Sequence, residues 1–341
     1  MKFVRKLPDV DEIIKQYSLS AEQIERRKCC VKELEAILSG KTRKKILFLG
    51  PCSADREDAV IEYVSRLAGL ADKVKDRFVI IPRIYTSKPR TNGIGYKGLL
   101  HRPYTESGSD NLVDGIIATR QMHLHVIQQT GMFCIDEMLY SESIAYILDL
   151  LAYVAIGARS VEDQAHRLVA SGLDVPVGMK NPVSGDLSVL LNSITAAQYP
   201  QSMLFRGYEV HTSGNEYAHA ILRGYSDLNG YAHPNYHYED LCVFYDRYQK
   251  ANLKNVSVII DCNHANSGKR YDEQTRIAAE IVDSCKRNKT LDRFVKGIMI
   301  ESYLEDGNQI IGGGVYGKSI TDPCLGWNKT ERLVYELAER L

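Results

Sequence analysis

Residues 46–84 read ILFLGPCSADREDAVIEYVSRLAGLADKVKDRFVIIPRI, and this single unit sets the architecture. An apolar run (46–50) is followed by a helical stretch (58–75) and a second apolar run (78–84). Strands buried on both faces of a parallel sheet are apolar at nearly every position, and that is what these two runs are. Working outward, the same pattern recurs at 132–135, 153–156, 175–179, 218–222, 256–260 and 295–300, which makes eight strand candidates. Helical stretches at 110–129, 142–151, 161–173, 187–197, 238–251 and 275–287 separate them, and 331–341 closes the chain. Eight repeats of strand then helix predict an α/β fold, a (β/α)8 TIM barrel, ahead of an open doubly wound sheet. Two extended runs, 202–208 and 209–212, followed by Ser213-Gly214-Asn215, break the alternation and predict an inserted β-hairpin before the sixth strand.

Before the first strand, residues 10–38 read as one helix with Ile13, Ile14, Leu34, Ile37 and Leu38 among charges, ending at Gly40. The expected organisation is a helical extension over 1–44, for oligomerisation or regulation, and a barrel domain over 45–341. The run Lys41-Thr42-Arg43-Lys44-Lys45 reads as a solvated connector.

Composition narrows the function. The 341 residues hold 43 Lys and Arg against 43 Asp and Glu, which removes the electrostatic case for binding nucleic acid or an anionic membrane. No apolar run is long enough to span a bilayer and Met1-Lys2-Phe3-Val4-Arg5-Lys6 leads into no apolar signal segment, so a cytoplasmic protein is expected. Eight cysteines without a C-x-x-C pair argue against a disulfide scaffold or a zinc ribbon. No phosphate loop of the G-x-x-x-x-G-K-[ST] type and no G-x-G-x-x-G after the first strand is present.

In a barrel of this kind the loops after the strands build the site. The residues standing there are Cys52, Arg83, Glu137, Arg159, Lys180, Arg223, His264 and Glu301. Cys52, His264 and Glu301, with Asp322 in the last loop, form a mixed thiol, imidazole and carboxylate set suited to a first-row divalent metal. Spacing alone equally allows a buried cysteine, a structural histidine and two surface acids. Cys262 reads as core, and His123 and His125, two apart on a helix, point different ways. The remaining set is basic: Arg83, Lys88, Arg90, Lys97, Arg159, Lys180 and Arg223. Seven cations in one cleft of a neutral protein predict phosphorylated or carboxylated substrates.

Several segments then combine into a pattern: Gly50-Pro51-Cys52-Ser53, Lys88-Pro89-Arg90-Thr91, Gly157-Ala158-Arg159-Ser160, Pro176-Val177-Gly178-Met179-Lys180-Asn181, Leu222-Arg223-Gly224, DCNHANS at 261–267, Glu301-Ser302, and GKSITD at 317–322. Together, over about 45–330, they resemble the class I 3-deoxy-D-arabino-heptulosonate 7-phosphate (DAHP) synthases. The Lys-Pro-Arg-Thr segment points to these rather than to the octulosonate 8-phosphate synthases. The resemblance implies condensation of phosphoenolpyruvate with erythrose 4-phosphate, with release of phosphate, at the entry to the shikimate pathway. It implies Cys52, His264, Glu301 and Asp322 as ligands of one divalent metal ion (Mn, Fe, Co or Zn). It places Arg83, Lys97, Arg159, Lys180, Arg223 and the backbone of Gly157 and Ala158 at phosphoenolpyruvate, and Lys88, Pro89, Arg90 and Thr91 at erythrose 4-phosphate. Lys88 is then the candidate proton donor to the aldehyde oxygen and Glu137 one candidate for positioning water, while Cys52 and His264 act through the metal. A homo-oligomer, dimer or tetramer, and an aromatic amino acid effector are also implied.

The sequence departs from the family pattern in three places. Ala54-Asp55-Arg56 stands where Ile-His-Asp is common, predicting different hydrogen bonding around the metal. The segment NGIGY at 92–96 is one residue longer than usual. Asp136-Glu137-Met138-Leu139-Tyr140 stands where feedback-inhibited members carry Gly-Glu-Phe-Leu-Asp. The competing readings are a sibling enzyme acting on another aldose phosphate and a non-catalytic sugar-phosphate sensor.

Overall fold

The structure, a computed structural model, describes residues 1–104 and 110–341. It opens with two helices, α1 (Val10–Gln16) and α2 (Ala21–Leu38), where one was expected over 10–38. The break is a capping box. Ser20 Oγ accepts from Gln23 N at 3.2 Å and Gln23 Oε1 accepts from Ser20 N at 2.8 Å, which starts a new helix. Leu34, Ile37 and Leu38 of α2 are buried. Arg27 fastens this helix beneath the barrel, donating to Leu151 O at 2.7 Å and Leu148 O at 3.1 Å and pairing with Asp174 at 3.0 Å.

All eight expected strands are present: β1 (Lys45–Gly50), β2 (Phe78–Pro82), β3 (Cys134–Glu137), β4 (Leu151–Ile156) and β5 (Val177–Lys180) come first. The expected hairpin follows, β6 (Ser202–Phe205) paired antiparallel with β7 (Tyr208–His211). Next come β8 (Ala218–Leu222), a small ribbon that periodicity does not reveal, β9 (Tyr225–Ser226) with β10 (Ala232–His233), then β11 (Val258–Asp261) and β12 (Val295–Glu301). The eight-stranded sheet runs β2-β1-β12-β11-β8-β5-β4-β3, and its neighbours pair in parallel. It closes where Ile84 N donates to Ile135 O at 3.0 Å, beside the Arg83–Ile135 bridge. The result is the predicted α/β TIM barrel.

The outer layer is α3 (Glu57–Val74), α4 (Leu112–Thr130), α5 (Gln164–Ala170), α6 (Leu187–Gln198), α7 (Tyr238–Lys250), the single turn α8 (His264–Ser267), α9 (Glu273–Arg287), α10 (Lys289–Phe294) and α11 (Trp327–Arg340). The helix expected over 142–151 is instead two 3₁₀ turns, Ser143–Tyr146 and Leu148–Leu150. Arg120 explains this. Its guanidinium takes Tyr146 O at 2.7 Å and grips the Asp149 carboxylate at 2.7 and 2.8 Å, so that carbonyl is turned out of any α-helical ladder.

Inside the barrel Phe48 and Tyr153 pack at 4.6 Å between ring centroids, and Tyr153 OH meets His219 Nε2 at 2.7 Å. A Cβ at Gly178 would lie 2.0 Å from that hydroxyl, so a glycine is required there for the ring to fit. Burial pushes the His219 imidazole down to about 4, leaving that ring neutral at physiological pH.

Candidate active site at the strand ends

Arg83, just past β2, is 1% exposed and lies between Glu301 at the end of β12 (2.7 Å) and the carbonyl of Pro51. Burial works against its charge, but Glu301 more than compensates and holds the guanidinium protonated. The other Glu301 oxygen accepts from Asn263 Nδ2 at 2.5 Å. Above this pair stands Cys52, whose Sγ lies 3.3 Å from Lys88 Nζ. Burial raises the Cys52 thiol above its ordinary value, and Glu301 adds to the rise while Lys88 opposes it.

Cys52, Glu301 and Asp322 each present a ligand atom within 4.8 Å of the others. His264 stands beside this trio rather than within it, with Nε2 3.8 Å from Glu301 Oε1. Its ring is aimed by Asp261, which accepts from Nδ1 at 2.8 Å, and its backbone takes the left-handed φ of 52° at the start of α8. Asp322 is held by Lys269 at 3.0 Å; burial would raise its carboxyl, but Lys269 and His264 pull it below the ordinary range. One soft sulfur, two hard carboxylates and an adjacent imidazole are a donor set that fits a first-row divalent cation. Arg56 stays out of this group, because it pairs with Asp58 at 2.6 Å and covers the Tyr316 ring at 5.0 Å.

Across the mouth, Glu137 at the end of β3 pairs with Lys180 at the end of β5 at 2.8 Å. Burial alone would raise the Glu137 carboxyl, but Lys180, Lys88 and Arg83 bring it down to about 2. Gly157 sits against it, since a Cβ there would meet Glu137 Oε1 at 2.6 Å. Tyr85, which sequence reading passed over, is the shared floor: Arg83 Cζ, Lys180 Nζ and Lys88 Nζ lie 3.8, 4.9 and 5.4 Å from its ring centroid. Its position two residues beyond Arg83 on an extended segment was the available signal. Asp261, Asn263 and Asn181 were also missed. Asn181 orders the β8 exit by accepting from Arg223 N at 2.9 Å and donating to Gly224 O at 2.9 Å.

The remaining predicted residues lie further out. Arg223 is half-buried; burial lowers its guanidinium, Asp261 raises it and Arg159 lowers it again. Arg159 is exposed and Ala158 half-buried. Pro89 and Arg90 are half-buried, and Thr91 is exposed. Among the described residues Arg90, Arg159 and Arg223 have no ion pair. Lys97 differs, because its ammonium is taken by Asp110 at 2.5 Å instead of joining the inner cations. Cys262 is fully buried, as expected of core. His123 turns inward to Asp136 and His125 outward to Glu57, so the two do diverge.

Comparison with known proteins gives the chain its family. The model of the DAHP synthetase I family matches residues 17–335. The Phe-sensitive phospho-2-dehydro-3-deoxyheptonate aldolase of Escherichia coli K12 is 36% identical over 315 residues, covering 90% of this chain and 86% of that protein. The Trp-sensitive enzyme of Enterobacter agglomerans is 37% identical over 318 residues, covering 90% and 87%. The solved phospho-2-dehydro-3-deoxyheptonate aldolase of Francisella tularensis SCHU S4 superposes with a TM-score of 0.92 at 32% identity, over 100% of this chain and 98% of that one. By sequence over nine-tenths of its length and by fold over all of it, the chain belongs to the DAHP synthetase I family.

Proposed function

We propose that the barrel mouth condenses phosphoenolpyruvate with D-erythrose 4-phosphate and water to give DAHP and phosphate, the first step of the shikimate pathway to aromatic amino acids. The observation that carries this reading is the set of cations without ion pairs among the described residues, the guanidinium groups of Arg90, Arg159 and Arg223 and the buried ammonium of Lys88, around a mouth where Arg83 and Lys180 are already paired. Unanswered cations in a neutral chain fit two substrates that each bring a phosphate, one of them also a carboxylate.

Arg83, Arg159, Lys180 and Arg223, with the backbone of Gly157 and Ala158, hold phosphoenolpyruvate, and Lys97 closes its outer side. Pro89, Arg90 and Thr91 receive the phosphate of erythrose 4-phosphate. Bringing two anions together in reacting geometry is the main entropic and electrostatic task, and the cations perform it. The C3 atom of the enol ester then bonds to the aldehyde carbon, and the aldehyde oxygen takes a proton from Lys88. Water adds at C2 and phosphate leaves; Glu137, kept ionised by Lys180, is the base that orients the water. Cys52, His264, Glu301 and Asp322 would hold one divalent ion, of the Mn, Fe, Co or Zn kind, which supplies Lewis-acid or templating chemistry at the aldehyde.

We infer further that residues 1–44 form an extension used in homo-oligomer assembly, as dimer or tetramer, or in regulation by an aromatic amino acid; the Phe-sensitive and Trp-sensitive names of the relatives support such an effector. A cytoplasmic setting suits the eight free cysteines, and no helix among the described residues is long and apolar enough to cross a membrane. The direct test is mass-spectrometric product analysis with phosphoenolpyruvate and either erythrose 4-phosphate or arabinose 5-phosphate. A seven-carbon product from the first alone supports the proposal; an eight-carbon product from the second would transfer the chain to the sibling reaction.

A further inference from the structure

One layer behind the mouth, β3 carries a second buried carboxylate. Asp136 is 1% exposed and accepts four hydrogen bonds, from Thr86 N at 3.0 Å, Thr86 Oγ1 at 2.5 Å, Glu137 N at 2.7 Å and His123 Nε2 at 3.1 Å. No Lys or Arg pairs with it among the described residues. His123 comes from α4, is fully buried, and its other ring nitrogen has no hydrogen-bond partner there, so its visible role is to hold Asp136. Burying a carboxylate without a Lys or Arg partner costs several kcal/mol in desolvation, which directs attention to what it organises.

Two of the four donors belong to Thr86. From Thr86 the chain continues through Ser87, which bridges Gly98, to Lys88, whose N–H donates to Lys97 O at 3.0 Å; Leu100 N returns to Thr86 O at 3.3 Å. The loop carrying Pro89, Arg90 and Thr91 therefore hangs from a residue whose inner anchor is Asp136. A third donor is the backbone of Glu137. One carboxylate thus sets the placement of Lys88 and of Glu137 relative to each other.

We propose that Asp136, held by His123, is a positioning residue that keeps Lys88 and the 87–98 loop in register with Glu137, and so governs capture of the aldose phosphate without touching it. This rests on the functional reading above for what the loop binds, whereas the anchoring itself rests on hydrogen bonds alone. Misplacement of a reacting group by about 1 Å costs on the order of a hundredfold in rate, so loosening this anchor has a kinetic signature that a general loss of stability does not.

The experiment uses the full chain and the variants D136N, H123L and H123Q, with hydrogen exchange read by mass spectrometry and steady-state kinetics on each folded protein. In D136N and H123L the peptide covering 86–98 exchanges about tenfold faster while β4 and β5 keep their rates, and KM for erythrose 4-phosphate rises about tenfold while KM for phosphoenolpyruvate, which meets this loop only at Lys97, itself held separately by Asp110, rises no more than about threefold. H123Q, which retains a donor, stays close to the parent. If D136N does not fold, H123L against H123Q carries the test. Unchanged exchange at 86–98, equal shifts in both KM values, or H123Q as impaired as H123L would overturn the proposal. A parent protein that converts neither substrate would instead remove the functional reading, and the exchange result would still decide the anchor.

Discussion

The inner and outer halves of the barrel mouth differ in how their charges are answered. On the inner half Arg83 faces Glu301, Glu137 faces Lys180 and His264 faces Asp261, each within 2.8 Å and each on or beside a strand end. On the outer half Arg90, Arg159 and Arg223 stand on three separate loops, after β2, β4 and β8, and none of them has an ion pair among the described residues. Apart from Lys88, whose ammonium donates only to the Cys52 sulfur among the described residues, the inner charges are answered within the chain, whereas the outer arginines are left open to an anionic ligand. Breaking an inner ion pair should therefore cost folding and turnover together, and removing one of the three outer arginines should cost affinity alone.

The sharpest break comes from removing one member of the buried pair. Glu301→Leu strands Arg83 at 1% exposure and should cost about 3–5 kcal/mol in denaturant unfolding of chelated protein, with loss of turnover. The double variant Arg83→Met with Glu301→Leu should recover most of that stability and none of the activity. A single variant as stable as the parent would show that the pair is not the inner keystone. Cys52→Ala comes next: metal content falls to background and turnover is lost, while circular dichroism and melting of the chelated protein stay near the parent. An unfolded Cys52→Ala protein would reassign Cys52 to packing.

Outside, Arg90→Ala should raise KM for erythrose 4-phosphate about tenfold to a hundredfold, the worth of a charge-assisted bond to phosphate, and leave KM for phosphoenolpyruvate within about twofold. Unchanged kinetics would detach Arg90 from the site. Glu137 sharpens the contrast through pH. Its carboxyl drops from the ordinary 4.5 to about 2 in the folded chain, so the unfolded chain binds the proton more readily. The stability it contributes is fully present above pH 4.5 and is lost as pH falls through about 2. Melts between these limits should lose that acid dependence in Glu137→Gln; an identical profile in both proteins would contradict the pairing with Lys180. The smallest effect belongs to Lys97→Ala, whose half-exposed pair with Asp110 is worth about 0.2–1 kcal/mol in unfolding.

Much of this contrast is legible in the sequence, and for a physical reason. Barrel strands such as 46–50 and 218–222 are apolar throughout because both faces are covered, and that pattern survives without tertiary knowledge. Candidates such as Cys52, Arg83, Glu137, Lys180 and Glu301 are read the same way, from their place after each strand, while the roles proposed for them come from the family resemblance. What escapes is support. Tyr85, Asp136, Asp261 and Asn181 earn their roles through partners far away in the chain, and no periodicity announces a partner. Two helix errors have the same origin. The break before α2 lay in Ser20 and Gln23, a local signal left unused, whereas the 3₁₀ turns near 143–150 depend on Arg120 reaching across from α4. The Asp110 partner of Lys97 was equally invisible, and it places that lysine on the rim.

The central claim is that one metal-binding cluster and one ring of cations serve a single condensation. Its most direct test is phosphate release from phosphoenolpyruvate with erythrose 4-phosphate on purified protein, before chelation, after chelation and after manganese is restored. The account predicts release that is lost on chelation, returns with the metal and needs both substrates. Release indifferent to chelation, or none under any metal, would contradict it.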